Sequence, residues 1–97
     1  MNIGSTIKDL RQKKGLKQLD LAALCDITPS YLSQIEKNIR EPNMSTLKII
    51  AEKLDIPLPF LMFLSIEEED VKEEKREAFK LILPSIKDLV NSLGNAT

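Results

Sequence analysis

Histidine and tryptophan are absent from this 97-residue chain, cysteine occurs once and glycine only three times. Each shortage removes a class of function. With no histidine and Cys25 alone, a zinc site of the usual Cys/His kind is excluded and no internal disulfide can form. No glycine-rich phosphate loop exists, and no carboxylate pair marks an obvious pocket, so an enzyme is the weakest reading. No catalytic residue, cofactor or metal is expected. No apolar run approaches the ~18–20 residues of a membrane span. The longest, Leu58 to Leu64, is broken by Pro59, and the N-terminus lacks the apolar core of a signal peptide. A cytoplasmic protein is the expectation.

Apolar residues make up 42% of the chain, which suits one small globular domain with an extension. The net charge of −1 is unevenly spread: nine Lys/Arg against seven Asp/Glu up to residue 64, then five against eight. The front part is therefore slightly basic, with Lys8, Arg11, Lys13, Lys14 and Lys17 followed by Lys37 and Arg40. This is a modest footprint for nucleic acid, weaker than a generic binder shows.

The centre of the chain, Gln18 to Asn38, holds two short apolar-periodic segments around the break Asp26-Ile27-Thr28. Leu21, Ala22 and Cys25 form one apolar face, Leu32 and Ile35 the other. Helices of about two turns do not stand alone, so the two must pack on each other. Small Ala22 lets them cross closely. Thr28 is a good N-cap, and Pro29 at the first helical position gives up only an amide that had no partner. This is the layout of a helix-turn-helix, whose second helix can enter a DNA major groove.

Other helices follow from the same signals. Ile3, Ile7 and Leu10 predict a first helix over about 4–14, with Gly15 as a left-handed C-cap. Helix 2 spans about 18–25 and helix 3 about 29–37. Asn43 caps a fourth helix over about 44–54, carrying Leu47, Ile50, Ala51 and Leu54. A fifth covers about 58–65, where Leu58, Leu61 and Met62 complete the core. From Ile66 the composition shifts to the charged run EEEDVKEEKRE, which favours helix and offers Glu68 to Lys72 as an i, i+4 pair. Phe79, Ile82, Leu83, Ile86, Leu89, Val90 and Leu93 then form an apolar stripe. Pro84, off that stripe, is expected to kink the helix or start another, and Gly94 to end it.

The stretch from Ile3 to Leu64 resembles the lambda-repressor and Cro family, also called the XRE family. The likeness runs through IGSTIKDLRQKKGLKQLDLA, ITPSYLSQIEKN, EPNMSTLKIIAEKLDI and LPFL, about two thirds of the chain. It implies an all-α fold: a five-helix lambda-repressor-like domain over 1–65, followed by a helical segment over 66–97. It also implies a dimeric, sequence-specific transcriptional repressor or activator; a repressor on a palindromic operator is the expectation. The sequence departs from the family at Lys17, where Ser or Thr usually caps helix 2, and at Asp26, where the turn usually has Gly. Asp tolerates the left-handed conformation better than most residues.

By family position, Ser30, Ser33 and Gln34 are the base-edge candidates. Glutamine can pair bidentately with adenine, and serine adapts to either base. Pro29 and the Thr28 methyl suit a thymine methyl. Gln18 is expected to reach a phosphate and buttress the recognition helix. Tyr31 has two readings: a hydroxyl donated to phosphate, or a ring packed beside helix 4. Lys37, Asn38 and Arg40 are expected on backbone phosphates. Asn43 and Ser45 open helix 4, whose free amides form an anion site, though capping alone accounts for Asn43. Arg11 is expected to pair structurally with Glu36, and Cys25 to fill a buried slot. The base-reading set holds no arginine for guanine.

The apolar surplus points to assembly. Phe60, Phe63, Phe79, Ile82, Leu83, Ile86, Leu89, Val90 and Leu93 are read as a homodimer interface, since two half-sites need two copies. The alternative is that the last helix folds back to cap its own domain. A rival function is an antitoxin-type or accessory module whose C-terminal helix binds another protein. The expected partner is a double-stranded DNA operator, with no membrane.

Overall fold

The computed structural model describes residues 1–95, with side chains through residue 92. Among the described residues there are six α-helices and no strand: α1 (Ile3–Lys13), α2 (Gln18–Leu24), α3 (Pro29–Glu36), α4 (Met44–Lys53), α5 (Leu58–Leu64) and α6 (Arg76–Asn95). None of these helices is long and apolar enough to cross a membrane. The expected all-α fold, five short helices and a longer C-terminal one, is what the chain adopts.

Helix ends follow the local chemistry closely. The Thr28 hydroxyl accepts from the Tyr31 amide at 3.0 Å and Asn43 Oδ1 from the Thr46 amide at 2.8 Å. Lys17 gives α2 no side-chain cap, and Asp20 reaches back instead to accept from the Lys17 amide at 3.0 Å. At the other ends, α1 to α4 stop in the same way. Each passes into one left-handed residue, at Gly15, Asp26, Asn38 and Asp55. The amide of the next residue then bonds back five positions: Leu16 to Arg11, Ile27 to Ala22, Ile39 to Gln34 and Ile56 to Ala51. These are Schellman motifs, which satisfy the last carbonyls and usually place an apolar side chain after the turn. Leu16 and Ile27 are half-buried and Ile56 is buried, as the motif requires. Ile39 is 67% exposed and is the exception.

The core gathers Ile7, Leu21, Ala22, Cys25, Leu32, Ile35, Leu47, Ile50, Ala51, Leu54, Ile56 and Leu61. Leu58, Phe60 and Met62 pack against it in part. Helices α1 and α3 cross at Gly4, where a side-chain carbon would stand 2.3 Å from the Ile35 carbonyl oxygen. Only glycine lets the two backbones approach this far.

Three expectations for the last third need correction. The charged run is not one helix but two single 3-10 turns, Glu68–Asp70 and Glu73–Lys75. Like charges four apart, Glu69 with Glu73 and Asp70 with Glu74, oppose a helix there. In addition, the Met1 ammonium draws Asp70 off, donating to its carboxylate at 3.0 Å. That contact raises the amine's pKa and lowers the carboxyl's. Glu68 pairs with Lys80 at 3.6 Å rather than with Lys72. Second, α6 is one continuous helix through Pro84, so no new helix starts there. Proline there removes only the bond to the Lys80 carbonyl, and both residues lie on the solvent side, where water can satisfy it. Third, the helix continues past Gly94 to Asn95.

Helix α6 also answers where the apolar stripe goes within one chain. Val90 enters the core and Ile86 packs against it. The Phe79 ring meets Phe63 with centroids 5.7 Å apart, and Leu83 is half-buried. The stripe therefore covers its own domain in part, as the fold-back alternative had it. Ile82 and Leu89, with Leu81 beside them, stay exposed at 51%, 44% and 78%. The Leu93 side chain lies outside the described residues.

Candidate nucleic-acid interface

Helix α3, the expected recognition helix, is held from behind by a buried polar lattice. The Arg11 guanidinium donates through Nε to Glu36 Oε2 at 2.7 Å and through Nη2 to Oε1 at 2.9 Å, while Nη1 donates to the Leu16 carbonyl at 2.8 Å. Glu36 Oε1 also accepts from Gln18 Nε2 at 2.9 Å. The expected Arg11–Glu36 pair is thus present, and it fixes the first residue of α2 as well. Both charged side chains are over nine-tenths buried. Every polar atom of this ion pair has a partner, which is the condition for burying charge without a large penalty. Gln18 keeps its own carbonyl oxygen outside this bond, so the buttressing half of its expected role has a geometric basis.

The opposite side of α3 is open. Thr28, Pro29 and Ser30 are exposed, and Ser33 and Gln34 are half-buried. Helical spacing puts Ser30, Ser33 and Lys37 on one flank, and Tyr31 with Gln34 on the other. Beyond the helix, Lys37, Asn38 and Arg40 are all exposed, as are Asn43 and Ser45 at the start of α4. Apart from Gln18 at the start of α2, the sequence-derived set therefore lies on accessible positions of α3, the following loop and the head of α4.

Charge is distributed in keeping with this. Of the basic cluster read from the sequence, Arg11 is spent on Glu36 and Lys14 on Asp55 at 2.6 Å. Lys17, Lys37 and Arg40 form no ion pair among the described residues.

Two features were not visible in the sequence. Asn38 is committed to structure: it takes the left-handed turn, its Oδ1 accepts from the Gly4 amide at 3.1 Å and its Nδ2 donates to Asn2 at 2.6 Å. Asparagine followed by an apolar residue at a helix end was the available sign of the turn, but not of the reach to α1. Arg40 does not trail into solvent either; its guanidinium carbon lies 5.0 Å from the centre of the Tyr31 ring. Cys25 is buried as expected, and burial pushes its thiol pKa up, which disfavours the reactive thiolate.

A short helix, a tight left-handed turn and a second helix with an open polar face define a helix-turn-helix. A family model described as helix-turn-helix matches residues 7–61. The chain belongs to this family, in its XRE form, a family of DNA-binding regulators and not of enzymes. It is 35% identical to the immunity repressor protein of Bacillus phage phi105 over 79% of this chain and 51% of the relative. It is 35% identical to the ImmF control region 10 kDa protein of the same phage, over 67% of this chain and 72% of that one. The regulator SinR of Bacillus subtilis is 34% identical over 62% of this chain and 55% of its own length. The chain thus spans about half the length of the phage immunity repressor.

Proposed function

We propose that this chain is a sequence-specific transcriptional regulator, a repressor, that acts in the cytoplasm as a homodimer on a palindromic operator. The observation that carries this is the asymmetry of α3. One side is locked by the buried Arg11–Glu36–Gln18 lattice, and the other offers Ser30, Ser33 and Gln34 to a groove. Residues 1–65 read DNA and residues 66–97 supply the pairing surface. Ser30, Ser33 and Gln34 read base edges, with Thr28 and Pro29 against thymine methyls. Gln18, Lys37, Arg40 and the amides behind Asn43 and Ser45 hold phosphates. The name of the phage relative, an immunity repressor, and that of SinR, a transcriptional regulator, support transcriptional regulation.

Dimerisation uses what α6 leaves free. Phe79, Leu83, Ile86 and Val90 cover the chain's own domain, so the second copy meets Ile82 and Leu89 together with Leu81.

Selection of bound fragments from the source genome, followed by competition of the selected duplex against random DNA, tests the reading. Ser33→Ala and Gln34→Ala should each lower the preference by about 1–3 kcal/mol. If neither changes it, α3 is not the reader. A second reading, an accessory or antitoxin-type module, draws on the same exposed residues of α6. Co-purification with a partner protein at fixed stoichiometry would favour it.

A further inference from the structure

We infer that Tyr31 is a positioning residue, whose ring is the platform that holds the Arg40 guanidinium against the Gln34 flank of α3, and that Arg40, not the Tyr31 hydroxyl, delivers the contact to DNA phosphate. This rests on the DNA-reading role proposed above and deepens it.

Three observations converge. The guanidinium carbon of Arg40 lies 5.0 Å from the Tyr31 ring centre, inside the range of a cation–π contact. The backbone on either side is fixed: the amides of Ile39 and Arg40 both donate to the Gln34 carbonyl, at 2.9 and 3.2 Å, and the Tyr31 amide is capped by Thr28. Both ends of the stack are therefore anchored in the same helix. Finally, Arg40 makes no ion pair among the described residues, so its donor fork stays open to an anion.

The chemistry favours arginine as the ligand. A guanidinium on an aromatic face still presents its N–H edge outward, and that edge fits a phosphate bidentately. A long side chain left free would have to be ordered at the moment of binding, which costs affinity; a stacked one is ordered beforehand. Tyr31 and Gln34 are three residues apart and share a flank. The stack therefore places a fixed cation beside the side chain expected to read adenine.

The test uses the full chain and the selected operator duplex. Tyr31→Phe keeps the ring and loses the hydroxyl, and should bind as the parent does. Tyr31→Leu should bind about two- to fivefold more weakly, the range of an exposed cation–π contact. In an Arg40→Ala background, Tyr31→Leu should add nothing. The slope of log K against log salt should drop by about 0.9 for Arg40→Ala. In the free protein, ring-current shifts on the Arg40 side-chain protons should survive Tyr31→Phe and vanish in Tyr31→Leu. Retained operator preference with Tyr31→Phe as damaging as Tyr31→Leu would overturn this inference alone. So would a Tyr31→Leu loss that persists without Arg40, or the absence of ring-current shifts in the parent. A parent chain that does not prefer the selected duplex to random DNA would instead overturn the DNA-reading role itself.

Discussion

Arg11 on α1 and Glu36 at the end of α3 meet as a two-pronged fork, at 2.7 and 2.9 Å, with almost no access to water. Such a pair is stabilising only while both members are present. Removing one leaves the other charged and buried, which costs about 3–5 kcal/mol. Glu36→Leu or Arg11→Met alone should therefore lower the urea midpoint sharply. The combined Arg11→Met, Glu36→Leu variant should recover much of the loss, since neither charge is then stranded. Gln18 would lose its anchor in any variant without Glu36, so operator affinity should fall even where stability is restored.

Gly4 offers a test in which the usual sign is reversed. In an ordinary helix interior, Gly→Ala is worth about 0.5–1 kcal/mol of added stability. Here the new carbon would stand 2.3 Å from the Ile35 carbonyl oxygen and 2.8 Å from that of Glu36. Both are backbone atoms that cannot swing aside, so α1 and α3 must separate. Gly4→Ala should destabilise by about 1–3 kcal/mol, the usual range for overpacking, read from urea unfolding. It should also loosen the Arg11–Glu36 fork further along the same crossing.

The contrast between these residues shows what the sequence could reveal. Caps are local, so Thr28, Asn43 and Gly15 mark helix ends correctly. Apolar spacing within a helix likewise marks Leu47, Ile50, Ala51 and Leu54 as core. What periodicity cannot carry is which faces cross, and how closely. Gly4 reads as an ordinary helix start until Ile35 is placed against it. Asn38 reads as a loop residue until Asn2 comes within reach, and Arg40 as a free cation until it lies on Tyr31. The Arg11–Glu36 pair was legible only because the resemblance supplied the crossing. In the charged run, helix propensity was outweighed by repulsion at i, i+4 and by Asp70 bonding elsewhere.

Asp26 holds the turn between α2 and α3 at φ 55°. A residue with a side-chain carbon pays about 1–2 kcal/mol for this conformation and glycine does not. The Asp26 side chain is exposed and has no hydrogen-bond partner among those found in the described residues. Asp26→Gly should therefore stabilise the domain by up to about 1 kcal/mol after the entropy cost of glycine is offset. For a chain of this size that is a rise of roughly 4–8 °C in Tm per kcal/mol. A fall in Tm would mean that Asp26 contributes through a contact not apparent in its surroundings.

Cys25 makes the stability pH-dependent in one direction. Burial raises its pKa, with a smaller opposing effect from Lys53. The folded state thus holds the thiol proton more tightly than the unfolded chain, whose thiol titrates near ~8.5. Stability from this residue is complete below that pH and falls as pH rises through it towards the folded value. Unfolding midpoints measured at rising alkaline pH should decline more steeply for the parent than for Cys25→Ser. In the native protein at neutral pH, a water-soluble disulfide reagent should react with Cys25 only as fast as the chain opens. Rapid labelling of the folded protein would show the thiol to be accessible.

The two sides of α6 should separate stability from assembly. Val90 is 9% exposed and lies in the core, whereas Ile82 and Leu89 are about half-exposed on the same helix. Burying a valine side chain is worth about 1.5–3 kcal/mol. Val90→Asp should therefore cost at least that much, since it also desolvates a carboxylate, and should detach α6 from α5. Truncation after Ser65 should destabilise in the same way, because it strips Phe79, Ile86 and Val90 from the domain they cover. Ile82→Asp with Leu89→Asp touches neither the core nor the Phe63–Phe79 contact, so the melting temperature should hardly move. If α6 pairs with a second copy, that double variant should sediment as a folded monomer and lose most of its affinity for a two-half-site operator. Affinity for a single half-site should be kept. A parent chain that is already monomeric at micromolar concentration would assign α6 to covering its own domain and nothing more. Loss of stability in the Ile82, Leu89 variant without any change in mass would lead to the same conclusion.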